Sequence, residues 1–216
     1  MSLKIVAIVV SPRFPNRAII KFSDNSFLPL GLVAIHQLHL KKNQNIDQSR
    51  LQEITNASLS FLLKNYALRQ IAISAKTEKI LQQKLQVFLR QTLIKYHLSP
   101  QSDHKIIIQE TLSYIQDRGL LRPQELVDRV LRKHLNKSHF YIQQLLRQKG
   151  VDPLLIPSSS PHQEIAKIKR ILIKKHVKIQ NFSDHNTKNK TIASLSRQGF
   201  SYSDIKAAVD DLTNLS

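Results

Sequence analysis

Residues 191–209, TIASLSRQGFSYSDIKAAV, decide how this chain is read. Leu195 stands four residues before Gly199, Phe200 directly follows it, and Ile205 lies six beyond. Glycine closes a helix in the left-handed conformation at no steric cost, and an apolar residue just past it packs back on the helix. The stretch therefore predicts a helix over about 188–198, a tight turn at Gly199 and a second helix over 202–213. The pattern occurs once before: Leu146, Gly150, Val151 and Ile156 align with Leu195, Gly199, Phe200 and Ile205. Repeated short helical units imply a modular array with no single deep pocket.

Working outward, helix is predicted over most of the remainder. PSSSP at 157–161 reads as a linker, followed by helix from Gln163 to Lys178 and a polar loop over 181–190. Ser138 is placed to cap the helix that ends before Gly150, and Pro123 to open one that buries Leu126, Val127, Val130 and Leu131. Asp103 can cap a helix with Ile107, Ile108, Leu112 and Ile115 inward and Gly119 at its end. Thr77 can cap another that carries Ile80, Leu81, Leu85, Phe88 and Leu89. Leu51, Ile54, Leu59, Leu62, Leu63 and Tyr66 recur at helical spacing. Only the N-terminus reads as strand, over 3–10, 17–22 and 27–30, with a turn at Ser23–Ser26. A short helix over 32–38 and a turn at Lys42-Asn43 follow.

Composition narrows the chemistry. The 216 residues hold 33 Lys+Arg against 15 Asp+Glu, a net charge of +18, and 41% apolar residues suffice for a core. The excess is spread evenly along the chain, so it belongs to the folded body and calls for a polyanionic partner. There is no Cys, which excludes disulfides, thiolate nucleophiles and thiolate zinc sites. Four Gly are too few for most phosphate-cradling loops. The opening MSLKIVAIVV lacks a basic leader region and a small-residue cleavage site, and no apolar run is long enough to span a bilayer. A cytoplasmic protein, with no membrane partner, is expected.

Residues 191–209 resemble the last repeat of the RecX family of recombinase regulators, with its Leu, Arg-x-Gly-Phe-Ser turn and resuming Ile. Ala67, Leu68, Thr77, Leu81 and Leu85 are similar to that family's first repeat, and Ile142, Leu146 and Gly150 to its middle one. The N-terminal hairpin and Leu40-Lys41-Lys42 resemble an extension that some members carry. The resemblance runs over roughly 3–213. It implies a mainly α fold of tandem three-helix repeats in an elongated array, with a small N-terminal β-sheet extension. The divisions are 1–60 for the extension, then repeats at 61–121, 122–160 and 161–216, the second having a short third helix. Two positions depart from the family pattern. Arg122-Pro123 stands where an acidic pair is usual, and Ser74 where an Arg is common. The resemblance implies a monomer that binds the RecA filament on single-stranded DNA. It would lower ATPase, strand exchange and filament growth within homologous recombination, DNA repair and the SOS response. Duplex DNA is a nonspecific further partner.

The residues point to where such contact would lie. Lys167, Lys169, Arg170, Lys174 and Lys175 are interleaved with Ile165, Ile168, Ile171, Leu172 and Ile173, giving a helix with basic faces. Such faces are often only solvated. The density of Arg129, Arg132, Lys133, Lys137, Arg147 and Lys149 nearby favours a binding surface. Arg129, Arg132 and Lys133 share one helical face. Tyr141 and Tyr202 flank basic turns and could stack on bases, although packing is the commoner role. Metal, cofactor and catalytic residues are not expected. His36/His39 and His134/His139 lack a third ligand. Asp210-Asp211 reads as a solvated helix end, and Ser158–Ser160 has no nucleophile context. The alternative to a recombinase regulator is a basic helical DNA-binding protein acting alone, for which no clear recognition helix is present. No motif assembles the parts of an enzyme.

Overall fold

The computed structural model describes residues 3–99, 104–174 and 185–213. The chain divides into two compact units, Met1–Arg122 and Pro123–Ser216.

The first unit begins with strands β1 (Leu3–Ser11), β2 (Phe14–Phe22) and β3 (Phe27–Gly31), then helix α1 (Leu32–Gln37) and a two-residue strand β4 (Asn45–Ile46). They form one antiparallel sheet in the order β3-β2-β1-β4. Strand β2 starts three residues before the expected Arg17. Strand β4 was not expected, because two residues carry no periodicity. Helix α2 (Gln48–Ile73) is a single 26-residue element. Asp47 caps it by accepting the Arg50 N–H at 2.7 Å. Its first half closes over the sheet, where Ile54 joins Ile5, Ile20, Phe22, Leu30 and Ile46 in one buried cluster. The Ser58 hydroxyl pins it to β3 by donating to the Pro29 carbonyl at 2.7 Å.

The second half of α2 packs on α3 (Glu78–Lys95) and α4 (His104–Gln116). Leu59, Leu63 and Ala67 meet Leu81, Leu85, Leu112 and Ile115. Fully burying such a side chain contributes about 1.5–3 kcal/mol, and this sets the register of all three helices. Leu81, Leu85 and Leu89 of α3 and Ile107, Ile108, Leu112 and Ile115 of α4 are in the core as expected, Phe88 packs against it, and Ile80 is only half-buried. Thr77 caps α3 by accepting the Ile80 N–H, as its position suggested. Asp103 lies outside the described residues. Residue 60, expected as a division, falls inside α2, so the sheet layer and the helical layer share one continuous helix.

The second unit contains α5 (Pro123–Lys133), α6 (His139–Gln148), a 3-10 turn (Pro153–Leu155), α7 (Pro161–Lys174), α8 (His185–Ser196) and α9 (Tyr202–Thr213). Leu126, Val127, Val130, Ile142, Leu146 and Val151 are buried in its first part. Ile168, Ile171, Leu172, Leu195, Phe200, Ile205 and Ala208 form the core of α7–α9. The PSSSP segment both links and caps. Ser160 and Gln163 satisfy each other's backbone N–H groups, with Pro161 in the first helical position. Residues 185–190, placed by the sequence in a polar loop and from about 188 also in a helix, are all helical. Their exposed Asn and Lys side chains hide the helical period, and the helix is anchored downstream at Leu195. The Ile156 counterpart of Ile205 follows only a 3-10 turn and is half-buried, since Pro153 interrupts the expected helix.

The glycine turns have the bonding that the sequence implied. Phe200 N–H donates to the Leu195 carbonyl (3.3 Å) and Gly199 N–H to that of Ser196 (2.9 Å). Val151 and Gly150 repeat this on Leu146 and Arg147, and Leu120 and Gly119 on Ile115 and Gln116. This is the Schellman pattern. Two further helices end in the same way with histidine in the left-handed position: His39 (φ 47°) and His97 (φ 53°). Leu40 and Leu98 are the apolar residues that follow them, so both histidines are turn residues.

Gly199 has φ +90°, and a Cβ there would come within 2.5 Å of Ser138 Oγ and 2.9 Å of Tyr141 Cβ. Gly199→Val combines strain with collision, so an expected loss of at least about 2 kcal/mol should appear in denaturant unfolding. His97→Gly relieves left-handed strain without disturbing the bonds, and should raise stability by about 0.5–1 kcal/mol in the same assay.

Candidate partner and nucleic-acid interface

The cations singled out in the sequence are not equivalent. Arg129, Arg132 and Lys133 are all exposed near the end of α5, where the negative end of the helix dipole favours them. The chain then turns, with Lys137 N–H donating to the His134 carbonyl at 2.9 Å. Lys133, Lys137 and Lys149 all lie near enough to act on the His134 ring. Together with a larger effect of desolvation they push its titration below the ordinary value. Lys137 Nζ sits 5.0 Å from the centre of the Tyr141 ring, and the His134 ring 5.8 Å from it. The turn between α5 and α6 therefore gathers three lysines, a histidine and an aromatic ring. Arg147 is exposed in the last turn of α6.

On α7 the basic residues divide by role. Lys167 is half-buried. Its ammonium donates to Glu164 Oε1 (2.8 Å) and to the Lys137 carbonyl (3.2 Å). Lys169 pairs with Asp211 Oδ2 at 2.6 Å and ties α7 to α9. Both were expected to face a partner; both are engaged in holding the unit together. Arg170 and Lys174 are exposed one turn apart on α7, and Lys175 lies outside the described residues. Asp211 is an ion-pair partner, and Ser159 and Ser160 serve the start of α7. Among the described residues, no group of three or more His, Asp or Glu is placed to hold a metal ion.

Sequence reasoning missed Glu164. It is buried, and its Oε2 accepts the His139 N–H at 2.9 Å while Oε1 takes Lys167 and Ser159. The segment Lys137–His139 is thus gripped by α7. It is also held by the α8–α9 turn, because Ser138 N–H donates to the Gln198 carbonyl at 3.0 Å. An acid in a first helical turn reads as dipole compensation, and nothing local reveals a bond to a residue 25 positions earlier.

The His139 ring is partly buried against this clamp, with its Nε2 lacking a hydrogen-bond partner. Desolvation pushes its titration below the ordinary value; the Glu164 charge opposes this and Lys167 adds to it. The unfolded chain therefore binds the His139 proton at higher pH than the folded one, and stability falls as pH drops below about 6.5. Thermal unfolding should show a lower midpoint at about pH 5.5 than at about pH 7.5, with a smaller difference in His139→Asn. An identical difference in the variant would remove His139 as a source.

Comparison with known proteins fits this layout. Residues 162–209, essentially α7–α9, match the family model described as RecX, third three-helix domain. The Regulatory protein RecX of Streptococcus mutans serotype c is 25% identical over 180 residues, covering 80% of this chain and 64% of that protein. The Streptococcus pneumoniae counterpart is 26% identical over 177 residues, with the same coverages. The chain thus spans 64% of the length of these relatives. Among solved structures, a crystal structure of regulatory protein RecX aligns with TM-score 0.61 at 19% identity, over 96% of this chain and 99% of that one. RecX from Lactobacillus salivarius aligns with TM-score 0.54 at 21% identity, over 73% and 98%. The resemblance to the RecX family is thereby shown, in sequence over 80% of the chain and in fold over 96% of it.

Proposed function

We propose that the chain is a RecX-like regulator that binds the RecA filament on single-stranded DNA and restrains its ATPase, strand exchange and growth. The observation that carries this reading is the similarity to proteins named Regulatory protein RecX, over 80% of the chain. The basic surface supports it. A protein-coated DNA strand is an extended polyanion, and cations that converge on one turn are suited to it. We assign the contact to the exposed cations Arg129, Arg132, Lys133, Arg147, Arg170 and Lys174, with Lys137 and Lys149 beside them. Lys167 and Lys169 position that surface from within.

The proposed organisation is a sheet extension over 1–60, which shares α2 with the first repeat, and repeats at 61–121, 122–160 and 161–216. The reading has the protein work in the cytoplasm, as a monomer, by binding alone. No helix among the described residues is long and apolar enough to cross a membrane, and the relatives are named as regulatory proteins.

Two variants separate surface from scaffold. Arg132→Glu/Lys133→Glu/Arg170→Glu should keep the thermal midpoint and weaken inhibition of the cognate recombinase's DNA-dependent ATPase. Its log–log salt dependence of filament binding should become shallower by about two. Lys167→Glu should lower the midpoint, because it sets a second carboxylate beside Glu164. Untouched ATPase and no co-purification with recombinase after nuclease treatment would end this reading. Sequence-selective duplex binding without recombinase would put an independent DNA-binding role in its place.

A further inference from the structure

The turn between β1 and β2 carries a second cationic feature, in the other unit. Phe14 opens β2 with 49% of its surface exposed, although nothing in its strand register requires an aromatic ring in water. Two guanidinium groups attend that ring: the Arg13 and Arg17 carbons lie 5.6 and 6.0 Å from its centre. Beneath it, between the hairpin and α2, is a cleft of about 260 Å³ whose lining includes Phe14, Pro15, Arg17, Phe61, Leu62 and Arg69. No carboxylate lines it. Gly31, paired with Arg17 across the strands, makes room for the floor of the cleft. A Cβ at that position would stand 2.8 Å from the Phe61 ring.

Guanidinium groups beside a cleft that no carboxylate lines suit an anionic acceptor. An exposed ring at the rim calls for something flat. Single-stranded nucleic acid supplies both, since every base has a face to stack and every linkage a phosphate. An acidic peptide would answer the arginines and leave Phe14 bare. We infer that the β1–β2 hairpin is a binding site for single-stranded nucleic acid. One base enters the cleft and stacks on Phe14, and the flanking phosphates are held by Arg13, Arg17 and Arg69. This site belongs to the first unit and the cations of α5–α7 to the second, and it does not depend on a recombinase.

The test uses the full chain without recombinase. Binding to a labelled oligothymidylate and to an abasic oligonucleotide of equal length is followed by fluorescence anisotropy. Phe14→Ala should weaken oligothymidylate binding by about 5- to 150-fold and leave abasic binding unchanged. Arg17→Gln should weaken both and lower the salt slope by about 0.7. Phe14 is half-exposed, so its variant should keep the wild-type thermal midpoint, which the same samples can verify. Unchanged oligothymidylate affinity in Phe14→Ala would overturn the proposal. So would an equal loss on both oligonucleotides, or displacement of the oligonucleotide by polyglutamate that Phe14→Ala does not alter. Each of these three results would leave inhibition of a recombinase unaffected, which makes the two readings separable.

Discussion

A carboxylate removed from water must be answered by donors, and the second unit is arranged around one such requirement. Glu164 is answered by the His139 amide, the Lys167 ammonium and the Ser159 hydroxyl. Removing one partner of a buried charge costs several kcal/mol, so these groups hold one another in a single geometry. The clamp fixes the entry to α6, and that entry fixes where the α8–α9 turn can lie. Ser138 caps α6 with its side chain and donates its own N–H to Gln198, and Gly199 fits against it because it has no side chain. Polar bonds of fixed direction thus join helices whose apolar contacts alone would permit sliding.

The outline of the fold was legible because it depends on local chemistry. The strand over 3–11 is rich in Ile and Val and the strand over 14–22 carries Ile19 and Ile20, and Thr77, Ser138 and Pro123 stand at the helix starts they mark. The glycine turns at 150 and 199 were readable because few other residues take positive φ there. The same turn built on His39 or His97 was not, since histidine carries no such mark. At the candidate interface, sequence density identified the right region and gave no division of labour within it. Lys167, Lys169 and Arg170 look alike in a string of letters. Only packing shows that the first two face Glu164 and Asp211, and Arg170 faces solvent. Glu164 and Phe14 were missed for opposite reasons. One is an ordinary surface residue type that became buried; the other is an ordinary core residue type left outside.

The same distinction makes a charge of +18 tolerable. Some cations are neutralised by acidic side chains, as Lys167 is by Glu164 and Lys169 by Asp211. Others sit where helix carbonyls end, as Arg132 and Lys133 do on α5, Arg147 on α6 and Lys174 on α7. A helix terminus offers each a partial negative charge. Self-repulsion is thereby reduced without adding acidic side chains that would weaken attraction for a polyanion.

Helix α2 belongs to two layers at once, with Ile54 under the sheet and Leu63 among α3 and α4. The sheet is therefore no detachable ornament. To delete it would strip one flank from a helix whose other flank supports the helical layer, leaving Ile54 and its neighbours bare to water. Evolution faces the same bargain as a protein engineer. A chain that discards the strands must also recast the first half of α2.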